Sequence, residues 1–140
     1  MANQLSVVHE EDPRDTYLKL VMPAVERLSV MGARVLVSVY VRPERKKGSA
    51  IILPGVVRDE DRYQGKVGLV VALGPLAFKE DETHRFGGRI PQVGDWVQFR
   101  VPESFPFELT TEDGKREYSR ARYVEDVDIY AILTDPDLVF

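Results

Sequence analysis

There is no cysteine anywhere in the chain. Disulfides and thiolate metal sites are therefore excluded, and the absence fits weakly with a reducing compartment. Histidine is almost as scarce. Only His9 and His84 occur, neither has a partner at ligand spacing, and no metal site is expected. A Ser-His-Asp arrangement would have to recruit one of these two from a polar stretch, and no glycine-rich phosphate loop precedes a helical segment. No apolar run approaches the length of a membrane span. The opening MANQLSVVHEED lacks the basic and apolar regions of a secretory signal. The expectation is a cytoplasmic protein with no membrane contact, no catalytic centre and no cofactor. Acidic residues outnumber basic ones by 23 to 19, and the net charge of −4 argues against a general nucleic-acid binder.

What is present points to one globular domain. The chain has 140 residues, 44% of them hydrophobic and 30% charged, enough for a modest core and too apolar for a disordered chain. Residues 1–32 read as an N-terminal arm. Its Leu18, Val21, Met22, Val25 and Leu28 have helical spacing, but Pro23 lacks an N–H and clashes with the preceding turn. Two readings stay open: an extended lead-in to Met22 followed by a short helix with Pro23 in its first turn, or an irregular arm. In either case the apolar face needs cover, from its own domain or from a neighbouring subunit.

Ala33 to Val41, ARVLVSVYV, is the clearest strand. Val35, Val37, Val39 and Val41 fall on one face and Arg34, Leu36, Ser38 and Tyr40 on the other. Gln64 to Leu73 is a second strand, stopped by Gly74-Pro75, and Trp96 to Val101 a third, with Trp96 as a core anchor. Residues 102–119 look like an inserted hairpin about Asp113-Gly114, a pair suited to a type I′ turn, with Glu112 and Lys115 facing each other. Tyr123 to Val127 and Asp128 to Leu133 close the series, with Ile129, Ala131 and Leu133 on one face. Residues 136–140 form an apolar-ended tail. Short strands, Gly/Pro turns and little helix make this an all-β barrel or sandwich.

One segment stands apart. Between the first two strands, loop 43–63 carries an apolar island, Ile51-Ile52-Leu53, between a basic run ending at Gly48 and a Pro54-Gly55 break. Large aliphatics in a polar loop are either a buried plug or a docking tooth. Arg42, Arg45, Lys46 and Lys47 could serve single-stranded nucleic acid only with exposed aromatics beside them, and Tyr40 and Tyr63 are the candidates. A solvated basic loop is the better reading.

The parts come in a distinctive order: RVLV, a basic loop with the Ile-Ile-Leu triplet, GKVGLVVALGP, VGDWVQF and DVDIYAIL. Over residues 33–135 this series resembles the GroES-type co-chaperonin family, and ALGPLAFKED…FGG…VGDWVQF is most like the phage and prophage versions. The resemblance implies a small β-barrel, a ring of seven subunits, and an ATP-dependent partnership with a chaperonin double ring. It implies that Ile51, Ile52 and Leu53 dock at the chaperonin rim. It places a roof-type hairpin in the connection 76–92, at Lys79 to Arg89, and contacts between subunits at Arg34, Leu36, Val37, Ile129, Ala131 and Leu133. Gly48-Ser49-Ala50 stands where the family usually has two glycines, and Pro54 stiffens the loop further. The arm and the 102–119 hairpin are additions to the family's minimum. They keep a second reading open: a structural virion protein decorating a capsid, with the major capsid protein as partner.

Overall fold

Strand-forming runs rich in valine and aromatics join in one antiparallel sheet. The computed structural model describes residues 12–42 and 66–139. It places β1 at Arg34–Val39, β2 at Val67–Leu73, β3 at Trp96–Phe99, β4 at Phe105–Glu108, β5 at Arg120–Glu125 and β6 at Ile129–Leu133. The strand order is β4-β5-β1-β2-β3-β6. A 3-10 turn, Asp126–Asp128, joins β5 to β6, and a helix, α1 (Arg14–Val25), precedes the sheet. The mostly β character expected from sequence is therefore present.

The sheet is apolar on both faces. On one side Leu36, Leu69, Val71, Trp96 and Ala121 pack with Tyr17, Val21 and Val25 of α1. On the other, Val35, Val37, Val70, Val97, Phe99 and Val124 pack with Phe78 from the connection after β2. β1 alternates as its sequence requires, with a register shift against β2 between Leu36 and Val37. Both faces being covered explains why ARVLVSVYV is almost continuously apolar. Gly74, just past β2, permits a close crossing, since a Cβ there would collide with the Gly32 carbonyl oxygen.

Three expectations need correction. First, the arm holds a 12-residue helix that runs through Pro23, rather than an extended lead-in or at most a short helix. Pro23 stands in the last turn, where its missing N–H withdraws a single bond, from the Lys19 carbonyl. Burying Val21 and Val25 offers roughly 1.5–3 kcal/mol each, enough to offset it. Asp12 accepts the Arg14 N–H at 2.9 Å and satisfies one orphan donor of the first turn. The helix packs on its own domain, with Tyr17, Val21 and Val25 buried.

Second, β4 pairs with β5, from Phe105 opposite Tyr123 to Glu108 opposite Arg120. The hairpin is thus wider than 102–119 and takes β5 as its second strand. The Asp113-Gly114 turn is not type I′, because only Gly114 has a positive φ (71°). The Gly114 N–H donates to the Thr111 carbonyl, while the Asp113 carboxylate accepts from Lys115 N–H and the Thr111 hydroxyl. That short polar circuit replaces the expected Glu112–Lys115 pairing. Third, the connection 76–92 contains no strand, so no roof-type hairpin forms there. Its aromatics Phe78 and Phe86, in edge-to-face contact at 5.2 Å, turn down onto the sheet instead. Phe78 holds a left-handed backbone (φ 62°), unusual for a bulky residue, and its N–H donates to the buried Asp126 carboxylate at 2.8 Å.

β1 pairs with β2 on one edge and β5 on the other, so it offers no free edge to a neighbour. Leu36→Ala should cost about 2–5 kcal/mol of stability as a core truncation. Urea unfolding should show that loss to be independent of protein concentration. Asp126→Ala leaves the Phe78 N–H buried without an acceptor and should cost about 1–3 kcal/mol in the same assay.

Candidate functional site

The candidate sites among the described residues lie on the two edges of the sheet and at one end of it. Among the described residues, no three or more His, Asp or Glu residues gather as metal ligands. No helix among them is long and apolar enough to cross a membrane. His84 pairs with Asp81 at 3.3 Å on an exposed turn. The Asp81 carboxyl is held below the usual carboxylate range, first by the backbone N–H of His84 and then by that of Thr83. This is turn chemistry, in which the Asp81 carboxylate caps the backbone of Thr83 and His84.

The two ends of the sheet differ in kind. At the β4 end, Leu109 N–H donates to the Ser119 carbonyl. Antiparallel alternation then turns Phe105 and Phe107 toward β5 and leaves Pro106 and Glu108 facing outward. Pro106 has no N–H to offer and Glu108 is charged, so this edge is defended against strand addition. The Glu108 carboxyl is held low mainly by the Arg116 hydrogen bond at 2.8 Å. Above this edge Phe107 stacks on Tyr123 at 4.5 Å, and Phe105 beside them is 63% exposed.

At the β6 end no strand among the described residues pairs with the outer edge. Phe99 N–H donates to the Lys66 carbonyl, toward β2, and Arg100 N–H to the Asp128 carbonyl, toward β6. By alternation Trp96 and Gln98 bond to β6 at Leu133 and Ala131, and Ile132 turns its backbone groups outward. The register shift between Gln98 and Phe99 makes Tyr130 the extra residue of a bulge, with its ring 64% exposed. A shallow hollow lined by Phe78, Phe86, Arg89, Pro91 and Ile132 lies beside it.

The sequence-derived site residues separate into groups. Ile51, Ile52 and Leu53 lie outside the described residues, as do Arg45, Lys46, Lys47 and Tyr63. Leu36 and Val37 are sealed in the core, and Arg34, exposed, pairs with Glu125 at 3.3 Å. Ile129, Ala131 and Leu133 do not share a face as expected: Ala131 and Leu133 pack on the cluster of Leu36 and Trp96, whereas the bulge at Tyr130 turns Ile129 onto that of Val35 and Phe99, and the exposed residues of β6 are Tyr130 and Ile132. Period-two alternation alone gives no sign of the bulge that exposes Tyr130. Tyr40 is buried and cannot serve as a stacking platform for nucleic acid.

Tyr40 instead belongs to a cluster at the root of the connection 43–65. Its N–H donates to the Val67 carbonyl at 2.8 Å, tying the strand ends on either side of that connection. Its hydroxyl donates to Asp137 at 2.9 Å. The next residue, Val41, donates its N–H to the Tyr17 hydroxyl of α1 at 3.0 Å. Tyr17 meets Tyr40, Trp96 and Tyr118, with ring centroids at 6.1, 5.5 and 4.9 Å. Burial pushes the Tyr40 hydroxyl far above the ordinary phenol range, and the Asp137 charge adds to the shift.

No family model matches the chain, and no curated protein matches it.

A phenol whose pKa is raised by folding contributes stability that is complete below its ordinary value near about 10 and is lost as pH climbs above it. Tyr40→Phe should therefore flatten the alkaline fall in stability. Urea midpoints at about pH 8 and about pH 10.5 should differ less in the variant than in the parent.

Proposed function

We propose that the chain is a co-chaperonin, a non-enzymatic lid that closes a chaperonin cage and assists folding inside it. On this reading the sheet is a GroES-like barrel, subunits assemble into a ring, for which the resemblance implies seven members, and the partner is an ATP-dependent chaperonin double ring in the cytoplasm. The observation that carries it is the coincidence of motif order with strand order. RVLV falls in β1, GLVVAL in β2, WVQF in β3 and IYAIL in β6, and the connection with the Ile-Ile-Leu triplet leaves the sheet between β1 and β2. Three docked aliphatics would offer roughly 1.5–3 kcal/mol each before the entropy of ordering their segment is subtracted. Each site is then weak, and several tethered copies make the total strong but releasable. The open β6 edge, with Tyr130 and Ile132, suits a contact with a neighbouring subunit.

A second reading, a structural virion protein bound to the major capsid protein, is favoured by one observation. The exposed Phe105 belongs to the 102–119 insertion, outside the family's minimum, and a lid has no assigned use for it.

Co-migration of the purified protein with a chaperonin double ring, with and without ATP or ADP, separates the two. The expected outcome is nucleotide-dependent capture that Ile52→Asp abolishes while its far-UV spectrum and unfolding midpoint stay those of the parent. Capture that survives Ile52→Asp would remove the triplet from the docking role. A folded oligomer that no cognate chaperonin retains, but that is found in purified capsids, would establish the virion reading.

A further inference from the structure

The chain has one Asp-Gly pair, Asp113-Gly114, and it stands on an exposed turn. Such a pair is chemically vulnerable, because glycine has no side chain to keep its backbone nitrogen from the neighbouring carboxyl. The Gly114 nitrogen attacks Asp113 Cγ and gives up its proton, the Cγ–OH bond breaks, and water leaves. The cyclic imide that results takes up water from solvent. Cleavage of its bond from nitrogen to Cγ restores aspartate. Cleavage of its bond from nitrogen to the main-chain carbonyl leaves the backbone running through the former side chain, as isoaspartate. No oxidant or cofactor is needed.

The fold opposes this chemistry at both reacting groups. The Gly114 N–H donates to the Thr111 carbonyl at 3.0 Å, so the attacking nitrogen is already engaged. Asp113 accepts the Lys115 N–H at 2.9 Å, a bond that carries its carboxylate past Gly114. The Thr111 hydroxyl lies 2.9 Å from the same carboxylate oxygen and 2.7 Å from the Lys115 carbonyl, its one hydrogen serving both acceptors. The Lys115 N–H first, and the Thr111 hydroxyl after it, hold the Asp113 carboxyl below the usual range. It therefore stays ionised, the form that releases water poorly. Thr111 is buried, whereas Glu112, Asp113, Gly114 and Lys115 are exposed. The turn is also anchored: Glu112 N–H donates to the Leu20 carbonyl of α1 at 2.8 Å, and the ring of Tyr118 meets that of Tyr17.

We propose that Asp113-Gly114 is an isoaspartate modification site that Thr111 holds dormant in the folded protein. Thr111 is a positioning residue. Its carbonyl occupies the attacking nitrogen, and its hydroxyl fixes the carboxylate that would be attacked. The site stands whether or not the chain is a co-chaperonin.

The purified full chain is aged in mildly acidic buffer, and isoaspartate at residue 113 is measured by fragmentation in the mass spectrometer. Parent, Thr111→Val and Thr111→Ser are compared, with parent in strong urea as the unfolded reference. The folded parent should age about tenfold or more slowly than the unfolded chain. Thr111→Val should age about tenfold faster than the parent, the effect of losing one hydrogen bond to a charged group. Thr111→Ser, which keeps the hydroxyl, should stay near the parent. The Thr111→Val rate should be flat in low urea, as local release requires; a rate that climbs with urea marks unfolding of the whole chain and overturns the role of Thr111. A parent that ages as fast folded as unfolded overturns the dormancy. Thr111→Val ageing no faster than the parent, or Thr111→Ser ageing as fast as Thr111→Val, removes the hydroxyl from its role.

Discussion

A sheet that is apolar on both faces has to be covered twice, and this constraint organises the rest of the molecule. β1 and β2 carry large side chains in both directions, so neither face can be left to water. One cover is α1, held by Tyr17, Val21 and Val25. The other is the connection after β2, held by Phe78 and Phe86. Each cover is secured by a polar contact that apolar packing alone would not specify. For α1 it is the Tyr17 hydroxyl on the backbone of Val41; for the connection it is the Asp126 carboxylate on the backbone of Phe78. Burial supplies most of the free energy and these single bonds set the position, a common division of labour in small cores.

Much of the sheet was legible because its strands announce themselves locally. β1, β2, β3 and β6 were readable from alternation and from their Gly/Pro stops, and Trp96 as a core anchor from its setting among valines. Helix α1 was half legible. The spacing of Val21 and Val25 was plain, but Pro23 was weighted as a breaker when its place in the last turn made it tolerable. Tyr17, the most consequential residue of the helix, was missing from the apolar pattern because only long-range packing shows that its ring is buried. The hairpin failed for a related reason. Asp113-Gly114 is a strong local turn signal, yet which strands flank the turn is decided by pairing of β4 with β5, between residues 12 to 18 apart in the chain.

The surfaces were less legible than the core. Period-two alternation puts Ile129, Ala131 and Leu133 on one face, but the bulge at Tyr130 sends Ile129 to the other, and no local signal in the sequence marks it. The root cluster could not be read from sequence at all. Tyr17, Tyr40, Trp96 and Asp137 lie far apart along the chain, and nothing in their local settings links them. Such a constellation exists only after the sheet has formed, and the hydroxyls of Tyr17 and Tyr40 are what distinguish it from ordinary packing.

Pro106 carries a consequence for assembly. A sheet can grow at an edge only where backbone donors and acceptors are both on offer, and β4 presents a proline and a carboxylate there. Among the described strands, β6 is thus the edge that stays open to growth. Two copies joined edge to edge at β6 would end in two β4 strands, and the sheet would stop. Among its described strands the sheet is in this sense monovalent for extension. A ring that used the β6 edge would have to join it to a surface other than the neighbour's β4, and that second surface, not continuation of the sheet, would set the ring's geometry.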